Sequence, residues 1–267
     1  MLNRQSPDLP DLWPVAERLA EAARAETLCH FRGGALATES KRSDFDPVTV
    51  ADRNAEAAMR RILDEIRPDD GVIGEAHGVK LGTSGLTWGL DPIAGTRAYI
   101  SGTPTWGVLI SVADVDGPFL GIIDQPYVGE RFRGGAGRAD VMGPLGTHAL
   151  GVTETVRLED AILFTTFPEV GSDGEGAAFR RVSEKVKLTR YGCDCYAYAL
   201  LAAGQIDLVI EAGLQAYDIQ APIAVIEAAG GIVTDWAGRD AHDGGRVIAA
   251  ATSELHRAAL DLLRDGA

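Results

Sequence analysis

The sequence predicts an α/β fold in which helices and sheets stack as layers (α+β layers). Short apolar strand-like runs are interspersed with amphipathic helical segments along the whole chain. The turn signal Asp116-Gly117 joins two such runs, which points to a mainly antiparallel sheet. The chain has 267 residues, 46% hydrophobic and 24% charged, with no internal repeat or low-complexity segment. That balance rules out extended disorder and suits one large domain or two packed halves.

Residues 11–32 place Leu12, Val15, Leu19, Ala22 and Ala23 at helical spacing. Residues 33–50 form a Gly- and Ser-containing stretch that leads into DPVTVAD. Residues 51–67 read as a helix with Ala55, Met59, Ile62 and Ile66 on one face. Strands follow at 71–74 and 88–90, the second running into Asp91-Pro92, where the pyrrolidine ring is expected to end regular pairing. Two more strands cover 106–113 and 119–124. The pattern loosens around 141–155, so the division between halves is placed there, giving 1–145 and 146–267. The second half reads as a strand (162–166), helices (175–186 and 195–203), a strand (208–211) and a helix (219–229). Strands at 232–235 and 246–251 and a helix at 253–264 complete it.

Lys and Arg number 25 against 39 Asp and Glu, a net charge of −14. Phosphate backbones and anionic membranes are bound mainly through Lys and Arg, so neither nucleic acid nor a membrane surface is an expected partner. Cys29, Cys193 and Cys195 do not make a disulfide framework, and no apolar run approaches a membrane span. The opening segment lacks the apolar stretch of a secretory signal, so a cytoplasmic location is expected.

The most informative stretch is Asp91-Pro92-Ile93-Ala94-Gly95-Thr96-Arg97. It sets an acid at a strand end, then a rigid Pro, a Gly and a hydroxyl. Where a strand turns through Gly-Thr into a helix, backbone N–H groups and the helix dipole favour an anion such as phosphate. A carboxylate just before them can hold a divalent cation against that phosphate. Alone, the pattern reads equally as a capped turn. Three further acids change this: Asp52 after Asp46-Pro47-Val48-Thr49-Val50-Ala51, Glu75 at the end of a strand, and Asp218 in Ala216-Tyr217-Asp218 just ahead of a helix.

Taken in order, DPVTVAD, GE, WGLDPIAGT and YDIQAPIAVIEAAGG resemble the inositol monophosphatase superfamily of Mg²⁺-dependent, Li⁺-sensitive phosphatases. The likeness runs from about residue 15 to about residue 260. It implies an αβαβα sandwich of the sugar-phosphatase type, more than one Mg²⁺ between the halves, and a homodimer. The implied metal ligands are Glu75, Asp91, the Ile93 carbonyl and Asp218, with Asp52 an outer or third-metal ligand. Thr96, with Asp52 and Glu75, would orient the attacking water, and the backbone N–H groups of Gly95 and Thr96 would hold the phosphate. Mg²⁺ takes oxygen ligands, and a metal pair activates water and neutralises charge on the leaving oxygen. Plainer readings exist for two of these acids: Asp218 as a cap of the 219–229 helix, and Asp52 as a first-turn acid.

The chain departs from the superfamily's Asp-Pro-Ile-Asp-Gly-Thr at one position, where Ala94 replaces an Asp ligand of the second metal. A methyl group cannot coordinate Mg²⁺, so an impaired variant is expected, by deliberate Asp-to-Ala change in preference to natural loss. A milder departure is Ala76, where many members carry a second Glu.

Arg190-Tyr191-Gly192-Cys193-Asp194-Cys195-Tyr196-Ala197-Tyr198, the segment from Gln205 to Glu211, Gly95-Thr96-Arg97 and Tyr217 resemble the histidinol-phosphate phosphatase branch. Gly95, Thr96, Arg97, Arg190, Asp194 and Glu211 are therefore the expected substrate-binding residues. An acid at 194 beside Glu211 suits a cationic substrate. Histidinol phosphate carries an amine and an imidazole that take up protons, whereas inositol offers only hydroxyls. The competing reading pairs Asp194 with Arg190 in a structural salt bridge. Cys193 and Cys195 read as core packing, for want of further Cys or His at ligand spacing.

The expected function is Mg²⁺-dependent hydrolysis of L-histidinol phosphate to L-histidinol and phosphate, a step of histidine biosynthesis, impaired here by Ala94. The alternatives are a phosphatase of inositol or another small polyol phosphate, and a non-catalytic binding or regulatory homologue. A haloacid-dehalogenase-type phosphatase is disfavoured, because Ile93 stands where its DxD motif needs a second acid.

Overall fold

The structure, a computed structural model, describes residues 12–33, 38–40 and 47–264. Residue 11, Asp46 and most of the expected Gly/Ser stretch lie outside these residues. Helix α1 (Trp13–His30) is followed by a two-stranded ribbon, β1 (Thr38–Ser40) and β2 (Pro47–Thr49), and by α2 (Val50–Ile66). Then come β3 (Gly71–Gly74), β4 (Gly78–Lys80), β5 (Thr87–Ala94) and the short helix α3 (Thr96–Ser101). Five strands follow: β6 (Gly107–Asp114), β7 (Gly117–Gln125), β8 (Glu130–Gly135), β9 (Arg138–Gly143) and β10 (Gly146–Ala149). The rest is β11 (Ile162–Thr165), α4 (Asp173–Ser183), β12 (Leu188–Tyr191), α5 (Tyr196–Ala202), β13 (Leu208–Gln215), α6 (Ala216–Ala228), β14 (Ile232–Asp235), β15 (Gly244–Ala250) and α7 (Ser253–Arg264).

Two sheets result. The larger has eight strands in the order β10-β9-β8-β7-β6-β5-β3-β4, antiparallel except for the β3/β5 pair. The smaller has five, in the order β12-β11-β13-β15-β14, with β11 parallel to both its neighbours. Strand alternation sorts side chains between layers. On β6, Val108, Ile110 and Val112 pack under α1 and α2, while Leu109 faces α5 and α6. On β15, Val247 and Ala249 face the same middle helices, while Ile248 and Ala250 face α4 and α7. The outcome is the αβαβα sandwich, with α5 and α6 between the sheets.

The structure corrects several expected boundaries. Strand β5 does not stop at Pro92. Its pairing with β6 slips between Asp91 and Ala94 and resumes at Ala94 opposite Gly107. Pro92, having no N–H, sits inside that slip. The helix expected at 175–186 starts at Asp173, because Ser172 and Glu175 form a reciprocal capping box. The helix expected at 219–229 starts at Ala216, three residues before the expected start, capped by Gln215 and Asp218. Strands β8–β10 were not expected. Their buried positions include Arg131 and Arg133, which Asp124, Glu17 and Asp140 neutralise by ion pairs, so no apolar run betrays them. Through β10 the larger sheet runs on past residue 145. Among the described residues no helix is long and apolar enough to cross a membrane.

Helix α6 lies directly on glycines of the larger sheet. A Cβ at Gly121 would meet the Ala221 carbonyl, and one at Gly134 would overlap the Val225 Cα. Backbone cannot retreat as a side-chain tip can, and overpacking of a tight core typically costs about 1–3 kcal/mol. Gly134→Ala should destabilise the fold by at least that much in urea denaturation. A change below ~0.5 kcal/mol would mean that α6 can lift away from the sheet.

Candidate active site

The slip in β5 builds the centre of the site. Asp91 is 2% exposed. Its Oδ1 accepts the Ile93 N–H at 3.1 Å, which fixes the tight turn over Pro92. The Thr96 hydroxyl donates to the Ile93 carbonyl at 3.2 Å, so two expected site residues are held by one another. Gly95, with φ +105°, caps α3 and turns the chain in a way that disfavours other residues. The first N–H groups of that helix have no acceptor within it.

Three other carboxylates converge on Asp91. Glu75 follows β3, and its N–H bonds to the Leu90 carbonyl at 3.2 Å, beside Asp91. Asp52 and Asp218 are each the third residue of a helix, and each completes a capping box. Asp52 Oδ2 accepts the Thr49 N–H at 2.8 Å and its hydroxyl at 2.6 Å. Asp52 Oδ1 is buried and has no hydrogen-bond partner among the described residues. Asp218 Oδ2 accepts the Gln215 N–H at 2.6 Å. The plainer readings of Asp52 and Asp218 as helix-start residues therefore hold alongside their place at the site. Asp218 sits inside its helix rather than before it.

Burial, reinforced by Glu75, Asp218 and Asp52, holds the Asp91 carboxyl well above the usual carboxylate range. Burial and then the Glu75 charge push Asp52 up to about 6, against the hydrogen bonds from Thr49. Such a set of oxygens, crowded and raised in basicity, suits a hard divalent cation. The orphaned Asp52 Oδ1 is an acceptor with nothing to accept from, which fits a cation or its hydration water. Among the described residues, no three Asp, Glu, His or Cys side chains already stand together as a ready-made metal cluster. Ala94, 8% exposed, lines the same pocket.

The site opens into a pocket of about 740 Å³. It is lined by Glu75, Asp91, Ile93, Ala94, Gly95, Thr96 and Arg97 and by Asp194, Glu211 and Asp218. Glu211 is buried and accepts the Thr166 N–H at 2.6 Å and its hydroxyl at 2.8 Å. Burial nevertheless pushes it up to about 7, with Asp194 adding to the rise. Burial also raises Asp194, against a hydrogen bond from Thr105 and the Arg97 charge. The guanidinium of Arg97 lies 4.7 Å above the Phe167 ring at the pocket edge.

Two expected residues fall outside the lining. Asp52 is fully buried behind Glu75, and Arg190 is exposed on the edge strand β12. No ion pair between Arg190 and Asp194 is formed; Thr105 takes that place. Cys195 is buried, its thiol donating to the Ala94 carbonyl at 3.4 Å, which agrees with packing. Sequence reasoning missed Glu56. This buried carboxylate accepts the Ala76 N–H at 2.6 Å, the His77 N–H at 3.2 Å and Arg60 Nε at 2.7 Å, pinning the turn after Glu75. Its signal was available, since Glu56 stands one helical turn after Asp52 among apolar neighbours. Thr105, Thr166 and Phe167 carried no local signal at all.

The raised Asp52 has a consequence for stability. An acid whose folded pKa lies above its unfolded value of about 4 stabilises the fold fully below that value. The contribution is lost as pH rises through the folded value, here about 6. Asp52→Asn keeps a cap acceptor and removes the titration. In EDTA, urea denaturation should show the variant gaining on the parent by on the order of 2–3 kcal/mol between pH 4 and pH 7. A pH-independent difference would show that Asp52 is not raised.

Residues 8–266 match the model of the inositol monophosphatase family. A protein named bifunctional phosphatase IMPL2, chloroplastic, from Arabidopsis thaliana is 42% identical over 233 residues, 83% of this chain and 66% of that longer protein. A histidinol-phosphatase from Chlorobaculum parvum is 31% identical over 96% of this chain and 98% of its own. Among solved structures, an inositol monophosphatase from Zymomonas mobilis superposes with a TM-score of 0.83 at 35% identity, covering 97% of this chain and 99% of that one.

Proposed function

The chain belongs to the inositol monophosphatase family of metal-dependent phosphatases, and from that premise we propose that its substrate is L-histidinol phosphate and that Ala94 lowers its turnover. One observation supports the choice of substrate: two acids, the buried Glu211 and the half-buried Asp194, line the same pocket as the Gly95-Thr96 turn. A neutral polyol can donate hydroxyl hydrogen bonds to these carboxylates but leaves their mutual repulsion in place. A protonated amine or imidazole relieves their repulsion and their desolvation together. The name of the Chlorobaculum relative, a histidinol-phosphatase, supports this substrate, and that of the Arabidopsis relative supports a phosphatase. The Zymomonas structure supports the competing substrate, an inositol phosphate.

In this reading the Gly95 and Thr96 N–H groups receive the phosphate oxygens. Thr96, with Asp52 and Glu75, orients the water that attacks phosphorus. Glu75, Asp91, the Ile93 carbonyl and Asp218 would hold Mg²⁺, with the free oxygen of Asp52 as an outer acceptor. Bound Mg²⁺ supplies a lowered pKa for that water and neutralises charge on the leaving oxygen. Arg97 stays at the mouth, where its charge opposes the acids. Arg190, exposed on its edge strand, is given no part in binding.

Ala94→Asp returns the missing oxygen donor. It should raise kcat by on the order of 10²–10³, with a smaller change in KM, because the lost contact serves the transition state. Mg²⁺ should also raise the melting temperature more in Ala94→Asp than in the parent, by mass action. If Ala94→Asp hydrolyses no small phosphomonoester in Mg²⁺, the chain is a non-catalytic homologue and the enzymatic reading fails.

In the Ala94→Asp background, Asp194→Ala should cut kcat/KM for L-histidinol phosphate by about ten- to a hundred-fold, the value of a charge-assisted hydrogen bond. Hydrolysis of myo-inositol 1-phosphate should hardly change. Equal losses on both esters would remove the reason for preferring the cationic substrate.

A further inference from the structure

Asp194 is held in an unusual way. Its φ of +47° lies in the left-handed region, which Asp tolerates better than most residues. On one side it is pressed against Gly95: a Cβ there would lie 2.7 Å from the Cβ and Cγ of Asp194 and 3.1 Å from its Oδ1. On the other side the Thr105 hydroxyl donates to Asp194 Oδ2 at 3.0 Å. Thr105 sits just before β6, on the same half as the phosphate turn, whereas Asp194 belongs to the second half. The next residue docks in the same place, its thiol on the Ala94 carbonyl. Two consecutive residues of the second half thus rest on Ala94 and Gly95.

We propose that Thr105 is a positioning residue for substrate selection: its hydroxyl fixes the Asp194 carboxylate at a set distance from the phosphate turn. The assignment rests on the reading of Asp194 as the acid that meets the cationic end of the substrate. The grip has two points. Gly95 limits how far the Asp194 side chain can approach, and Thr105 stops it swinging away. Without the hydroxyl, Oδ2 has no donor, and the carboxylate is free to turn toward Arg97 at the pocket edge. A ligand with its positive group a fixed length from its phosphate would then meet an acid at variable distance. A ligand with no positive group would notice nothing.

The test uses the full chain as Ala94→Asp with Mg²⁺. Thr105→Val keeps the volume and removes the donor; Thr105→Ser restores it. Thr105→Val should lower kcat/KM for L-histidinol phosphate about ten-fold, mostly through KM. p-Nitrophenyl phosphate should change by less than about two-fold, and Thr105→Ser should return to within about two-fold of the parent. Once Asp194→Ala is present, Thr105→Val should cause no further loss, since Thr105 acts only through Asp194. Melting temperatures are read alongside, and Thr105→Ala is the second variant should Val fold poorly.

Equal losses on both esters, additive losses with Asp194→Ala, or failure of Ser to restore would overturn the proposal. The substrate reading fails separately, if Ala94→Asp prefers myo-inositol 1-phosphate to L-histidinol phosphate. The Thr105 and Asp194 cycle measured on that preferred ester still decides the coupling. If Asp194→Ala changes hydrolysis of neither ester, the positioning role falls as well.

Discussion

Asp91 is buried among carboxylates of its own sign, and the surrounding structure is arranged around that unfavourable burial. Its Oδ1 is tied to the Ile93 N–H, yet burial and the charges of Glu75, Asp218 and Asp52 still hold its pKa high. Asp52 and Asp218 meet the same difficulty with the same device. Each gives one oxygen to the start of its helix, where N–H groups lack acceptors and the dipole favours negative charge. In each the capping oxygen anchors the side chain, and at Asp52 the other oxygen, Oδ1, is buried with no hydrogen-bond partner among the described residues. Under the proposed function a divalent cation would relieve the repulsion that remains, a task in which the methyl group of Ala94 could take no share.

The second constraint is the close seating of α6. It lies between the two sheets and touches both, so its first turn can present Asp218 to a strand end of the other half. That seating requires bare backbone at Gly121 and Gly134. The site is therefore as well defined as the contact between α6 and the larger sheet. Loosening the helix would move one carboxylate relative to the other three. The contact of Asp194 and Cys195 with Gly95 and Ala94 repeats the principle at the turn after β5. There too the second half rests directly on the phosphate turn.

Ala94 bears on this setting in two ways under the proposed function. Relative to a chain with Asp there, it would take one oxygen donor from a metal and one like charge from the crowd around Asp91. The metal-free fold would then carry less repulsion and hold cations more weakly. Stability without metal and activity with metal would pull this position in opposite directions.

The sequence by itself determined the layered class, most of the strands and helices and the four ordered acidic motifs. Each of these is written locally: apolar periodicity marks an element, and an acid beside Pro, Gly and Thr marks a strand end that turns. It also pointed to Asp194 and Glu211, which the structure brings to one pocket. Only the tertiary structure decided that β5 continues through Pro92, because the slip is set by pairing with β6. It decided that β8 to β10 exist, because their buried arginines read as surface residues until Asp124, Glu17 and Asp140 are placed beside them. It removed Arg190 from the pocket and put Thr105 beside Asp194, and it revealed Glu56 under the turn after Glu75. The physical reason is common to all of these. A hydrogen bond or a charge pair between residues distant in the chain depends on which backbones approach closely, and that approach follows from packing that no local pattern encodes.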